Sequence, residues 1–202
     1  FNPTGVSDPP SRSRIFTCRP AAAVEERPCA QEIISRLATA AYRRPLTAAN
    51  LTALLALYDG GASDGGFESG VRMALEGILA SPHFVFRLEE PPVDANPAAP
   101  FVVSDHDLAS RLSFFLWASG PDEELIDLAT ANQLSRPEVL ASQTRRMLAD
   151  PRSEAVSTRF AAQWLRLPDL EKLHPDVRTY PDFDEHLKQA MRRETELFFD
   201  YL

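Results

Sequence analysis

Between residues 104 and 131 the chain reads SDHDLASRLSFFLWASGPDEELIDLATA, and its apolar residues return at the pitch of an α-helix. Leu108, Ala109, Leu112, Phe115 and Leu116 recur at spacings of one, three and four, which puts them on one wide helical face. Ser104 and Asp107 occupy the positions of a capping box, with Asp in place of the usual Glu or Gln. A serine hydroxyl there accepts from an otherwise unpaired amide of the first turn, and nearby acids suit the positive end of the helix dipole. Ser119-Gly120-Pro121 stops the helix, because Gly tolerates a left-handed cap and Pro cannot extend a helix backwards. Pro121 also opens the next helix, with Asp122, Glu123 and Glu124 at its start and Leu125, Ile126, Leu128 and Ala129 to bury. The aromatics of this corner read as core. Nothing in it reads as chemistry.

The same period governs the rest of the chain. Residues 1–28 hold many of the breakers and one of the two cysteines, and read as an irregular arm with a short extended piece at Ile15-Phe16-Thr17. Residues 29–88 read as a three-helix lobe. Pro28 opens a helix to about Tyr42 that buries Ile33, Ile34, Leu37, Ala38 and Ala41; Thr47 caps a second, through Tyr58. Gly60 to Gly66 then reads as a flexible helix connection, and a third helix runs from about Phe67 to Leu79. The prolines of EEPPVDANPAAP, residues 89–100, disfavour helix and sheet alike and mark a linker. Residues 101–202 read as a second helical lobe, cut at its C-terminal end. Ser135 and Glu138 form a capping box around Pro137, Val156, Phe160 and Trp164 step by four, and a last helix from about Asp184 presents Leu187, Ala190, Met191, Leu197 and Phe198. No convincing strand pattern appears, so the expected fold class is all-α, a two-lobed multi-helix bundle. Both ends read as cut. The chain opens Phe1-Asn2-Pro3 without a methionine or a signal-peptide pattern, and it stops inside an apolar helical run.

Composition narrows the function classes. A net charge of −8 and a pI near 5.0 argue against nucleic acid as a partner, since phosphate binding needs a basic stripe. No apolar run approaches the roughly 20 residues that span a bilayer, so no transmembrane segment is expected.

The candidate reactive groups are few. Cys18 and Cys29 fit neither the close pairs of a zinc site nor a haem-attachment motif. Their spacing leaves two readings open: a small disulfide loop contributing about 2–3 kcal/mol, or two unrelated thiols. His83, His106, His174 and His186 lack the i, i+4 pairing of a helical metal site and read as surface or capping residues. His174, in the loop DLEKLHPDVRTYPD, is a lead only because functional residues are commoner on such loops. The acids Asp122-Glu123-Glu124 and Asp182-Asp184-Glu185 fall at helix starts, where the dipole already explains them. Trp117 and Trp164, with Phe114, Phe115 and Phe160, would suit an apolar cofactor pocket, but at helical spacing they read as core. No catalytic residue is assigned, and no cofactor or metal ligand is expected within this segment.

Longer motifs carry a resemblance. CAQEIISRLATAAYRRPLTAANLTALLALY, followed by GGFESGVRMALEGILASPHFVFRLE, resembles one domain of unknown function of planctomycete-type exported proteins associated with c-type cytochromes (the 1595-type). SDHDLASRLSFFLWASGPDEELIDLA, RRMLADPRSEAVSTRFAAQWLRL and FDEHLKQAMRRETELFFDYL resemble the 1592-type domain that usually follows it, and FNPTG and IFTCRPAAA resemble the preceding segment. The resemblance implies an exported, periplasmic or cell-surface setting in a large multi-domain protein. It implies that haem c, where present, sits on neighbouring modules, and that the partners are other segments of the polypeptide or haem-bearing subunits. In that setting it implies a Cys18–Cys29 disulfide. The function expected is a structural docking module supporting electron transfer or a redox reaction carried elsewhere. The alternatives are an enzyme domain with a site between the lobes, and an extracellular polymer-binding module marked by exposed aromatics.

Overall fold

The computed structural model describes residues 9–89, 91 and 100–201. The described residues form helices and turns, with no strand among them, so the chain is all-α. It divides into two compact units, Phe1–Phe101 and Val102–Leu202. Most of the linker expected at 89–100 lies outside the described residues.

The first unit is built on α2 (Ala23–Tyr42) and α3 (Ala48–Ala80). Cys29, Ala30, Ile33, Ile34, Ala38 and Tyr42 of α2 are buried against Leu54, Leu55, Tyr58, Val71, Ala74 and Ile78 of α3. α2 begins five residues before Pro28, where the sequence suggested its start. Inside a helix, Pro28 costs one bond, to the carbonyl of Val24, and Val24 lies in the exposed first turn. That turn gains a substitute contact, the Ala21 amide donating to Glu25 Oε2 at 2.8 Å. α3 is two helices in one span. Only Gly65 and Gly66 leave helical geometry, and Gly66 has φ +78°, a conformation that costs glycine nothing. The expected seven-residue turn is therefore two residues long, and the chain reverses there. A Cβ on Gly70 would stand 2.6 Å from the Tyr58 ring, so the two halves pack closer than a side chain would permit.

Before α2 comes α1 (Pro10–Ile15), a short helix where an irregular arm was expected. Pro10 at its first position supplies a preset φ without losing a useful donor. α4 (Pro82–Val85) follows α3, and Arg43, at the end of α2, ties it down by donating to the carbonyls of His83 and Phe86 at 2.7 and 2.9 Å.

The second unit opens with α5 (Asp105–Trp117), α6 (Glu123–Thr130) and α7 (Pro137–Leu148). Ser104 caps α5 as its sequence indicates: its Oγ accepts from Asp107 N at 3.2 Å and donates to Asp107 Oδ2 at 2.7 Å. Other boundaries differ. α5 ends on Ala118 in the left-handed region, ahead of Gly120. α6 is capped by Asp122, whose carboxylate accepts from Leu125 N at 3.1 Å, so Pro121 lies outside it. α7 has Arg136 at its N-cap with no side-chain bond, so Ser135 and Glu138 form no capping box; the Ser135 amide instead donates to Asp105 Oδ2. Ala109, Leu116, Trp117, Leu125, Ala129, Leu134 and Met147 make the core.

A 3₁₀ turn (Pro151–Ser153) leads into a π-helix (Val156–Ala161) and then α8 (Ala162–Trp164). After a second 3₁₀ segment (Leu167–Lys172) comes α9 (Glu185–Asp200), capped by Asp184 through Leu187 N at 2.8 Å. No residue of α9 is buried.

Candidate functional site

The spacing of small residues decides which side of the π-helix faces inward. Ser157 and Ala161 are buried there, while on α5 Ala109 and Ser113 are fully buried. Small side chains four apart let two helices approach closely. The large side chains then fall to the flanks. Phe160 is 43% exposed, Trp164 67% and Phe115 48%. The ring of Phe115 meets Phe160 edge-on at 4.9 Å, and Phe160 lies nearly parallel to Trp164, 6.1 Å away. These rings form a contiguous exposed row, not the core their spacing suggested. π-helical turns recur at functional sites, and this one carries the middle ring of the row.

α9 adds to the apolar surface of the unit. Its inward side is formed by Lys188, Arg192, Thr195, Glu196 and Phe199, and Asp200 accepts from the Ser157 hydroxyl. Leu187, Met191, Phe198 and Tyr201 are exposed.

One cluster of paired charges in the unit lies around Trp117. This tryptophan is buried and its Nε1 donates to Met147 O at 2.9 Å. The Arg152 guanidinium lies 3.5 Å from the centre of its ring, the Arg146 guanidinium 5.6 Å. Arg146 donates to both oxygens of Asp122, at 2.7 and 3.1 Å, and to Gln143 Oε1 at 2.7 Å. Gln143 in turn donates to Glu124 Oε1 at 2.6 Å, and Arg152 grips both oxygens of Asp150 at 2.9 and 2.7 Å. Partial burial pushes the Asp122 carboxyl up, but the hydrogen bonds from Arg146 and Leu125 N and the two guanidinium charges outweigh it and hold the group below its ordinary value. The hydrogen bond from Arg152 brings Asp150 down to about 2. Asp169 is also lowered, first by Lys172. Among the described residues, the carboxylates that shift all move down. They are committed ion-pair partners, where a general acid would need the opposite shift.

The histidines do not converge. His174 lies exposed after the second 3₁₀ segment, its Nδ1 3.0 Å from Lys172 O. His83 packs on Tyr42, His106 Nε2 lies 3.2 Å from Thr130 Oγ1, and His186 is exposed near the start of α9. Among the described residues, no group of three or more His, Cys, Asp or Glu side chains converges to hold a metal ion. Nor is any helix there long and apolar enough to cross a membrane. Cys18 and Cys29 are joined in a disulfide, Cα to Cα 5.9 Å.

The fold and its surface define a class: two all-helical domains in tandem, the second presenting aromatic rings to solvent over a tightly paired interior. Two family models match, PSD5, protein of unknown function (DUF1595), over residues 29–89, and PSD4, protein of unknown function (DUF1592), over residues 103–202. The chain belongs to the planctomycete-type cytochrome c-associated proteins that carry these two domains in this order. No curated protein and no solved structure matches it.

Proposed function

We propose that this chain is a docking module of an exported, cytochrome c-associated protein. It holds a haem-bearing segment or subunit, and electron transfer takes place on that partner. The observation that carries the reading is the exposed row Phe115, Phe160 and Trp164. Contiguous exposed apolar surface on a soluble protein marks an interaction site, and aromatic anchors dominate the energetics of protein contacts. The family's association with c-type cytochromes supports a haem protein as the partner. The disulfide supports an oxidising compartment outside the cytoplasm.

The test is to titrate the cytochrome module of the parent polypeptide into this chain and follow tryptophan emission. Trp164 is exposed and Trp117 buried, so haem brought to the row quenches Trp164. Saturable quenching is the expected outcome, with the Trp164 share of the quenched emission absent in Trp164→Phe. Phe160→Glu should weaken binding by about 2 kcal/mol or more, as for an interface anchor. If no saturable quenching occurs, the docking reading fails. Retention on insoluble polysaccharide through the same rings would support the polymer-binding alternative instead.

A further inference from the structure

The first unit carries a groove that the docking reading does not use. It is a hollow of about 390 Å³ between the N-terminal arm and the second half of α3. Its walls are Ile15 and Phe16 on one side and Leu75 on the other, with Val71 of the core behind them. Its rim bears two guanidinium groups, Arg12 and Arg72, against one carboxylate, Glu68. Arg12 is committed: it pairs with Glu68 and its guanidinium lies 4.9 Å from the centre of the Phe16 ring. Arg72 is not. Its side chain is 70% exposed, Glu76 stands 3.8 Å away, and Ser69 Oγ accepts from it at a long 3.4 Å. A weakly engaged cation at the mouth of an apolar groove complements a ligand with an apolar body and one negative charge. The volume is at the low end of pockets that hold small organic molecules, which sets the ligand's size.

We propose that this groove binds a small apolar organic anion, a carboxylate with an alkyl tail. The tail lies between the arm and α3, and the carboxylate pairs with Arg72, for which a guanidinium is suited. One wall exists only because the arm is held down. Arg36 donates to the carbonyls of Arg14 and Ile15 at 2.7 and 3.0 Å, Phe16 packs against Phe67 at 6.2 Å, and the Cys18–Cys29 disulfide fastens the arm to α2. The site is therefore completed by the disulfide, and reduction of that bond weakens binding.

Calorimetric titration of decanoate into the oxidised chain tests this, with its uncharged methyl ester as the paired probe. Decanoate should bind saturably at one site. Arg72→Glu, at an exposed position, should weaken it by about tenfold or more, as should loss of the ligand's charge in the ester. Ser69→Trp, which fills the groove from its rim, should abolish binding; circular dichroism shows whether that variant has folded, and if it has not, Arg72→Glu decides. Absence of saturable decanoate binding by the unaltered chain overturns the proposal. So does binding that Arg72→Glu leaves unchanged.

Discussion

Asp122 does two jobs with one carboxylate, capping α6 through Leu125 N and receiving the bidentate grip of Arg146. Its acidic neighbours made it legible as a helix-start residue. The arginine partner was not legible, since Arg146 lies 24 positions along the chain. The same holds for Asp150 and Arg152 around Trp117: local sequence shows the pair, and only packing shows the ring between the guanidinium groups and the core. The consequence is a defined acid response. Asp122 and Asp150 have folded-state values below their ordinary 3.8, Asp150 at about 2. The unfolded chain therefore binds more protons in that interval, and stability rises with pH across it. The contribution is fully present only from about pH 5 upward and is lost as the pH falls through the folded-state values, about 2 for Asp150. Thermal midpoints recorded from pH 5 to pH 2 should drop, and the drop should be shallower in Asp150→Asn. An equal slope in the variant would show that the Arg152 contact does not act in the folded state.

At the scale of the helix, caps were legible where a side chain bonds within its own first turn, as Ser104, Thr47 and Asp184 do. Boundaries set by tertiary contact were not. Gly60 and Gly61 look like turn residues but are helical; a Cβ on Gly61 would lie 2.7 Å from Ser69 O, so glycine there answers to the returning segment and not to a turn. The buried side of the π-helix departs from its most conspicuous stripe for a related reason. Val156, Phe160 and Trp164 form the more conspicuous stripe, yet the signal for the buried side was the small pair Ser157 and Ala161. α9 shows the limit of periodicity most clearly: Leu187, Met191 and Phe198 share a face, and that face is solvated. With no buried residue, this helix is held by contacts such as Ser157 with Asp200 and Arg192 with Glu171. Exposed ion pairs contribute only about 0–1 kcal/mol each. Amide exchange in α9 should therefore proceed by local opening, well ahead of α2, whose Ile33 and Ile34 are fully buried. Exchange measured residue by residue by NMR settles it; equal protection of the two helices would mean that the α9 face is covered in solution.

Two cores imply two unfolding events. The cluster around Ile33, Ile34 and Val71 and the cluster around Trp117, Leu125 and Met147 belong to different units, and the family matches fall on the same two segments. Units of this length can each bury enough surface to fold alone. The disulfide distinguishes them, because Cys18 and Cys29 both lie in the first unit and the second has no cysteine. Its loop is short, so by the chain-entropy account its loss costs about 2–3 kcal/mol. For a domain near 100 residues that corresponds to roughly 10 °C or more. Heating the whole chain with and without reductant should lower one transition by that amount and leave the other in place. The transition that stays should match the melt of residues 102–202 prepared separately. A single transition that moves as a whole would mean that the two cores unfold as one cooperative body, and the tandem would then behave as one domain despite its two clusters.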